Sequence, residues 1–237
     1  MPPLRAVLAP TAAVLSLLVG PLAAQTTQPA TTRFGVYGGL TSASVSEGDG
    51  GLRAIGDAAF QRERRTGGQA GAFLIVPLGG ALSLQPELHF VQKGVRFSGR
   101  LGGGAAAARS DVALNLGYLE APLLLRVERG GARGTRPFLV LGPALAYNLS
   151  CGIAYNFPGF GGSVGSVDCD VSDEFSTDPI GLRSLDVGAL VGGGVAFVLG
   201  GREYSLGARY TAGVRDIAEI ARGARTGTAA VLLGITF

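Results

Sequence analysis

Residues 203–215 read EYSLGARYTAGVR, and this stretch decides the fold. Tyr204, Leu206, Ala208, Tyr210, Ala212 and Val214 hold its even positions, and Glu203, Ser205, Gly207, Arg209, Thr211, Gly213 and Arg215 its odd ones. One face is apolar and the other polar or glycine, with the period of two that a β-strand produces. The alternation recurs along the chain. In 81–93, Leu82, Leu84, Leu88 and Phe90 oppose Ser83, Gln85, Glu87, His89 and Lys93. In 119–128, Leu119, Ala121, Leu123, Leu125 and Val127 oppose Glu120, Arg126 and Glu128. In 138–149, four leucines and Tyr147 oppose Gly142, Ala144, Ala146 and Asn148, and in 184–199 an apolar odd face opposes Ser184, Asp186 and glycines. The chain ends with Val231, Leu233, Ile235 and Phe237 opposing Thr226, Thr228 and Thr236. Less regular strands at 33–45 and 67–77 bring the number to eight.

The connections alternate in length. Short ones fall near 77–80, 130–135 and 199–202, and long polar or glycine-rich ones near 46–66, 98–110, 150–181 and 216–224. Short turns on one rim and long loops on the other are the layout of bacterial outer-membrane barrels, with both termini on the periplasmic side and the long loops extracellular. The polar face is small or charged, which suits the narrow interior of an eight-stranded ring, while leucine and valine face lipid. The expected fold is all-β: an eight-stranded antiparallel up-and-down transmembrane β-barrel of the outer-membrane type. The alternative is a soluble barrel of lipocalin type, whose apolar residues would line the inside.

Arg5, the apolar run Ala6–Val19 and the small residues Leu22-Ala23-Ala24 follow the three-part pattern of a secretory signal peptide, against the alternative of an uncleaved anchor. The expected organisation is a signal peptide over 1–24, a short linker over 25–32 and a barrel domain over 33–237. Cys151 and Cys169 are the only cysteines, and in an exported chain an even count suggests a disulfide. It would close a loop of about twenty residues and contribute about 3 kcal/mol; two free thiols are the alternative. A formal charge of +3 without a basic, aromatic-interleaved stripe argues against nucleic acid as a partner.

Several blocks also resemble a known family. QPELHFVQKGVRF (85–97), LNLGYLEAPLLLRV (114–127), RPFLVLGPALAYNL (136–149), DVGALVGGGVAF (186–197), YSLGARYTAGVRDI (204–217) and the terminal LLGITF resemble, in that order, the PorT-like, porin-type outer-membrane β-barrel proteins. Each block is weak alone and the set is specific. Ala121, where a bulkier residue is common, and the loop 150–181 depart from the pattern. The resemblance implies the barrel and outer-membrane residence but no established activity; one branch of the family is linked to protein secretion. Terminal Phe237 resembles the aromatic last residue by which barrel-assembly machinery recognises its clients, and is equally accounted for as the last lipid-facing residue.

Charges facing a narrow interior must pair or become neutral. Glu87, Glu120 and Arg209 are expected at mid-height, Arg126 and Glu128 lower, and Lys93, Asp186 and Arg215 higher. They read as a salt-bridge ladder filling the lumen; the alternative is a selective polar path for ions or small solutes. No catalytic residue, cofactor site or metal site is assigned. His89, the only histidine, reads as a satisfied interior group. The glycine clusters at 102–104 and 159–165 lack the following Lys-Ser/Thr of a phosphate loop. The acidic, aromatic loop 150–181 reads either as a solvated surface loop or as a binding surface for a partner, a glycan or calcium. The sequence-based expectation is a non-enzymatic barrel with a largely filled lumen and a structural or interaction role in the envelope, assistance to secretion being one form of that role. A narrow pore and a surface-loop binding protein or adhesin are the alternatives. Expected partners are outer-membrane lipid and lipopolysaccharide, the barrel-assembly machinery and an envelope protein.

Overall fold

The computed structural model describes residues 31–46, 49–50, 60–101, 108–130, 134–158, 163–168, 184–214, 221–222 and 225–237. They form the strands β1 (Arg33–Val45), β2 (Asp49–Gly50), β3 (Phe60–Gly79), β4 (Leu82–Leu101), β5 (Ala108–Glu128), β6 (Arg136–Phe157), β7 (Ser163–Asp168), β8 (Leu185–Leu199), β9 (Arg202–Gly213), β10 (Ala221–Arg222) and β11 (Thr226–Thr236). Eight of these, β1, β3, β4, β5, β6, β8, β9 and β11, close into an antiparallel ring. The first and last strands make the seam, from Gly35 opposite Thr236 to Val45 opposite Thr226. Closure removes the free edges that an open sheet would present. The expected leader 1–24 and residues 25–30 of the linker lie outside the described residues.

The alternation read from the sequence is resolved into two faces. Leu88, Leu123, Leu141, Leu145, Leu206, Val231 and Leu233 are exposed on the outside of the ring, while Glu87, Glu120, Arg126 and Arg209 are buried within it. A soluble barrel requires the reverse. The interior is not solely small and polar, however, as the alternation suggested. Three apolar clusters also lie there: Val91, Leu116, Tyr118, Ala146 and Cys151; Tyr37, Phe73 and Ile75; and Leu124, Val140 and Leu190. Eight strands leave a volume that side chains must fill. Where β8 contributes the run Gly192-Gly193-Gly194, side chains of the neighbouring strands β6 and β9 occupy the space. A Cβ at Gly194 would stand 2.8 Å from Cζ of Phe138.

Strands β3 to β6 are 20, 20, 21 and 22 residues long, against 13, 15, 12 and 11 for β1, β8, β9 and β11. Much of what the sequence pattern assigns to connections at 46–66, 98–110 and 150–181 therefore continues the sheet. Two bulges explain why the alternation fades on β3 and β6. One extra residue lies in β3 between Arg64 and Gln69, and another in β6 where Gly117 and Tyr118 face Ser150 and Asn148. Each bulge reverses the parity of the strand beyond it. The ring thus has one high wall and one low wall. Strand β7 pairs with Gly152–Phe157 and covers one edge of the high wall. The other edge carries Arg62, Glu63 and Arg64, charged residues of the kind that discourage edge-to-edge pairing. At the opposite rim Gly200 and Gly201 (φ 60° and 77°) make the two-residue turn from β8 to β9.

Candidate functional site in the barrel interior

The pairing register stacks the inward residues into layers. At the rim of short turns, Arg33 at the start of β1, Glu203 at the start of β9, Arg136 at the start of β6 and Glu128 at the end of β5 converge. Arg33 Nη1 lies 2.7 Å from Glu203 Oε2, and Arg136, which also pairs with Glu203, donates from Nε to Glu128 Oε1 at 2.6 Å. One layer up, Arg126 donates from Nη2 to Glu128 Oε2 at 2.6 Å and from Nη1 to Gln85 Oε1 at 3.0 Å. Its guanidinium carbon lies 3.8 Å from the centroid of the Phe138 ring. The Gln85 amide then donates to Glu87 Oε1 at 2.6 Å.

The middle layer is built round Tyr37. Its hydroxyl donates to Glu87 Oε2 at 2.7 Å, accepts from Arg209 Nη2 at 2.8 Å and lies 2.8 Å from Nδ1 of His89. Arg209 Nη1 donates to Glu87 Oε2 at 2.7 Å. Nε2 of His89 lies 2.9 Å from Glu120 Oε2, and Lys93 Nζ lies 2.5 Å from Glu120 Oε1. Gly71 sits opposite His89 in the register, and a Cβ there would fall 2.2 Å from His89 Cβ. A glycine is required at this place for the imidazole to lie across the lumen. Higher still, Asp186 accepts from Thr226 Oγ1 at 3.2 Å.

The result is a continuous chain of hydrogen bonds and ion pairs from Arg33 to Lys93. Among the described residues the interior holds Arg33, Lys93, Arg126, Arg136 and Arg209 against Glu87, Glu120, Glu128, Asp186 and Glu203, so the fixed charges balance. Pairing of this kind is what a poorly hydrated interior demands. An internal cavity of about 50 Å³, bordered by Tyr37, Gln85, Glu87, Arg126 and Arg209, has room for a few waters.

Of the residues singled out from the sequence, Glu87, Lys93, Glu120, Arg126, Glu128, Asp186 and Arg209 all face this interior, and Arg215 lies outside the described residues. Sequence reasoning missed Arg33, Arg136, Glu203, Gln85 and Tyr37. The signal was parity: Arg136 lies two residues before Phe138 and Arg33 four before Tyr37, each on the inward register of its strand. Cys151 is buried on β6 just past its bulge, and Cys169 lies outside the described residues. In the loop 150–181, Tyr155 and Phe157 stack with centroids 5.8 Å apart, while Phe160, Phe175, Asp170, Asp173, Glu174 and Asp178 lie outside the described residues. Phe237 is exposed at the seam; its amide donates to the Phe34 carbonyl at 2.7 Å and its ring stacks on Phe34.

Solved structures to which the chain is similar include Ail, the attachment invasion locus protein of Yersinia pestis, in complex with the heparin analogue sucrose octasulfate. It is 10% identical, with a TM-score of 0.40 over 87% of this chain and 99% of that one. Neisserial surface protein A is 14% identical, with a TM-score of 0.40 over 86% and 97%. OprG of Pseudomonas aeruginosa is 12% identical, with a TM-score of 0.39 over 86% and 95%. No curated protein matches the chain. Residues 23–219 match the family described as outer membrane protein beta-barrel domain. With that match over most of its length, a closed eight-stranded ring and leucines on the outside, the chain belongs to the outer-membrane β-barrel domain family and resides in the bacterial outer membrane.

Proposed function

We propose that this protein is a plugged barrel with a structural or interaction role in the envelope, carrying out no chemistry of its own. The observation that carries the reading is the chain of hydrogen bonds and ion pairs from Arg33 to Lys93 across a lumen that, among the described residues, is also filled by three apolar clusters. Opening a conducting path would separate several buried ion pairs at once, each costly to break. The termini and short turns face the periplasm and the long connections face the medium, as strand-length asymmetry in such barrels supports. The ordered blocks from 85–97 to the terminal LLGITF support placement among the PorT-like, porin-type proteins, one branch of which is linked to secretion, and with it a role beside another envelope protein.

Conductance tests this. Purified barrel reconstituted in a planar bilayer is expected to give no reproducible unitary currents. Well-resolved currents that change when Glu120→Gln is introduced would replace the plugged barrel with a narrow pore.

A further inference from the structure

The contacts round Tyr37 set a number of protons as well as a geometry. Its hydroxyl has three partners: Glu87 Oε2 at 2.7 Å, Arg209 Nη2 at 2.8 Å and His89 Nδ1 at 2.8 Å. A phenol offers one hydrogen and two lone pairs, and a guanidinium N–H can only donate. Arg209 therefore takes one lone pair, which leaves one hydrogen and one lone pair for Glu87 and His89. On its other side the imidazole places Nε2 2.9 Å from Glu120 Oε2.

Three assignments satisfy every contact. If Tyr37 donates to an ionised Glu87, then Nδ1 donates to Tyr37 and Nε2 to Glu120, and His89 is an imidazolium. If Tyr37 donates to Nδ1, a hydrogen on Glu87 Oε2 points at Tyr37. If Nδ1 donates to Tyr37 while Nε2 accepts, the hydrogen lies on Glu120 Oε2. Each assignment contains one proton more than two ionised carboxylates and a neutral imidazole supply. Without that proton, one of the short contacts sets lone pair against lone pair, which is costly in a buried site.

We propose that the middle of the barrel binds one exchangeable proton, shared along Glu87, Tyr37, His89 and Glu120. This goes beyond a filled lumen, because it makes the filling sensitive to pH. The groups facing the imidazole favour it. Glu87 of β4 and Glu120 of β5 stand 3.8 Å and 2.9 Å from its ring nitrogens. The nearby cations are engaged elsewhere: Arg209 of β9 is on Glu87, and Lys93 of β4 is on Glu120. Arg126 of β5 lies a layer below, on Gln85 and Glu128, and Asp186 of β8 lies above, on Thr226. From β3 the ring meets Gly71, which brings no charge. Burial opposes a charge on the ring, and the two carboxylates offset that. Transfer along the relay balances. When Glu87 gives its proton to Tyr37 Oη and the phenol's own hydrogen passes to Nδ1, the acid becomes a carboxylate, the phenol is restored and the ring becomes an imidazolium. The cavity of about 50 Å³ bordered by Tyr37 and Glu87 has room for the water that delivers or removes the proton. Once the proton is lost, Tyr37 keeps its bond to Glu87 or to His89 but not both, and the layer loosens.

Histidine occurs once in the chain, so a nitrogen-15 spectrum of histidine-labelled protein reports this ring alone. The full barrel in detergent micelles at about pH 8, where a histidine in water is neutral, is compared with Tyr37→Phe. Infrared absorption of the same samples reports a buried carboxylic acid. Wild type is expected to show both ring nitrogens protonated, or one protonated together with an acid band that Glu87→Gln or Glu120→Gln abolishes. Tyr37→Phe is expected to lose the additional proton, leaving a neutral ring and no acid band. A neutral ring without an acid band in wild type overturns the proposal. So does a wild-type signal that Tyr37→Phe leaves unchanged, because the carboxylates alone would then hold the proton. Heat-modifiable gel mobility shows that each variant is folded, and the wild-type spectra decide by themselves where Tyr37→Phe is not. Conductance is read separately, so a lumen that passes ions is distinguished from a ring that holds no proton.

Discussion

Tyr37 shows how much of the interior depends on single atoms. Its hydroxyl meets Glu87, His89 and Arg209 at once, and the guanidinium of Arg209 also lies over its ring, 4.8 Å from the centroid. Arg209→Ala leaves Glu87 buried with its cation gone. The expected cost is about 3–5 kcal/mol of unfolding free energy, read as a lower urea midpoint for the barrel in lipid vesicles. Tyr37→Phe removes only the hydroxyl and is expected to cost about 1–3 kcal/mol. If Arg209→Ala unfolds at the wild-type midpoint, the network is not structural. The sequence made Arg209 legible because it interrupts an inward run of small residues, and Glu87 because it lies in the polar series Ser83, Gln85, Glu87 and His89 opposite leucines. Tyr37 was not legible, because the strand around it, RFGVYGGLTSASV, mixes glycine and aromatic residues on both faces. Its inward direction follows only from its register with Gly71 and Gly234.

Among the elements, the bulges in β3 and β6 separate what the sequence shows from what it hides. Below them the period of two is regular and the strands are readable. Above them the parity of β3 and β6 reverses, and on β4, β5 and β6 polar outward residues such as Arg96, Asn115 and Asn156 resemble loop composition although they lie in paired strands. The β6/β7 pairing has a covalent consequence. Gly152 faces Asp168 in the β6/β7 pairing. One more step of the same register would set Cys151 opposite Cys169. Directly opposed positions of an antiparallel pair lie about 4.5–5.5 Å apart at Cα, within reach of a disulfide. We expect a bond that fixes β7 to the wall. Mass-tagging with a polymeric maleimide would then shift the denatured protein by two tags only after reduction; two tags without reductant would show free thiols.

For the whole molecule, closure is the organising fact, and it was legible from the number of strands and the alternation of connections. The wall heights were not, because length beyond the apolar belt leaves no hydrophobic signature. Since β11 completes the ring against β1, deleting residues 235–237 removes the lower end of the seam. The shortened chain is expected to migrate at its unfolded position without boiling. Phe237→Ala keeps the backbone pairing and is expected to fold in detergent as wild type does, while reaching the outer membrane of cells in reduced amount. Equal amounts in cells would reduce Phe237 to a lipid contact. The unequal walls also give the protein a front and a back within the plane of the membrane. A neighbour diffusing in from the β9–β11–β1 side meets the shorter strands of the ring, whereas one arriving at β4 and β5 meets the longer ones. Two molecules with the same belt can therefore dock side by side in unequal ways, and the direction of approach becomes a selectable property of the fold.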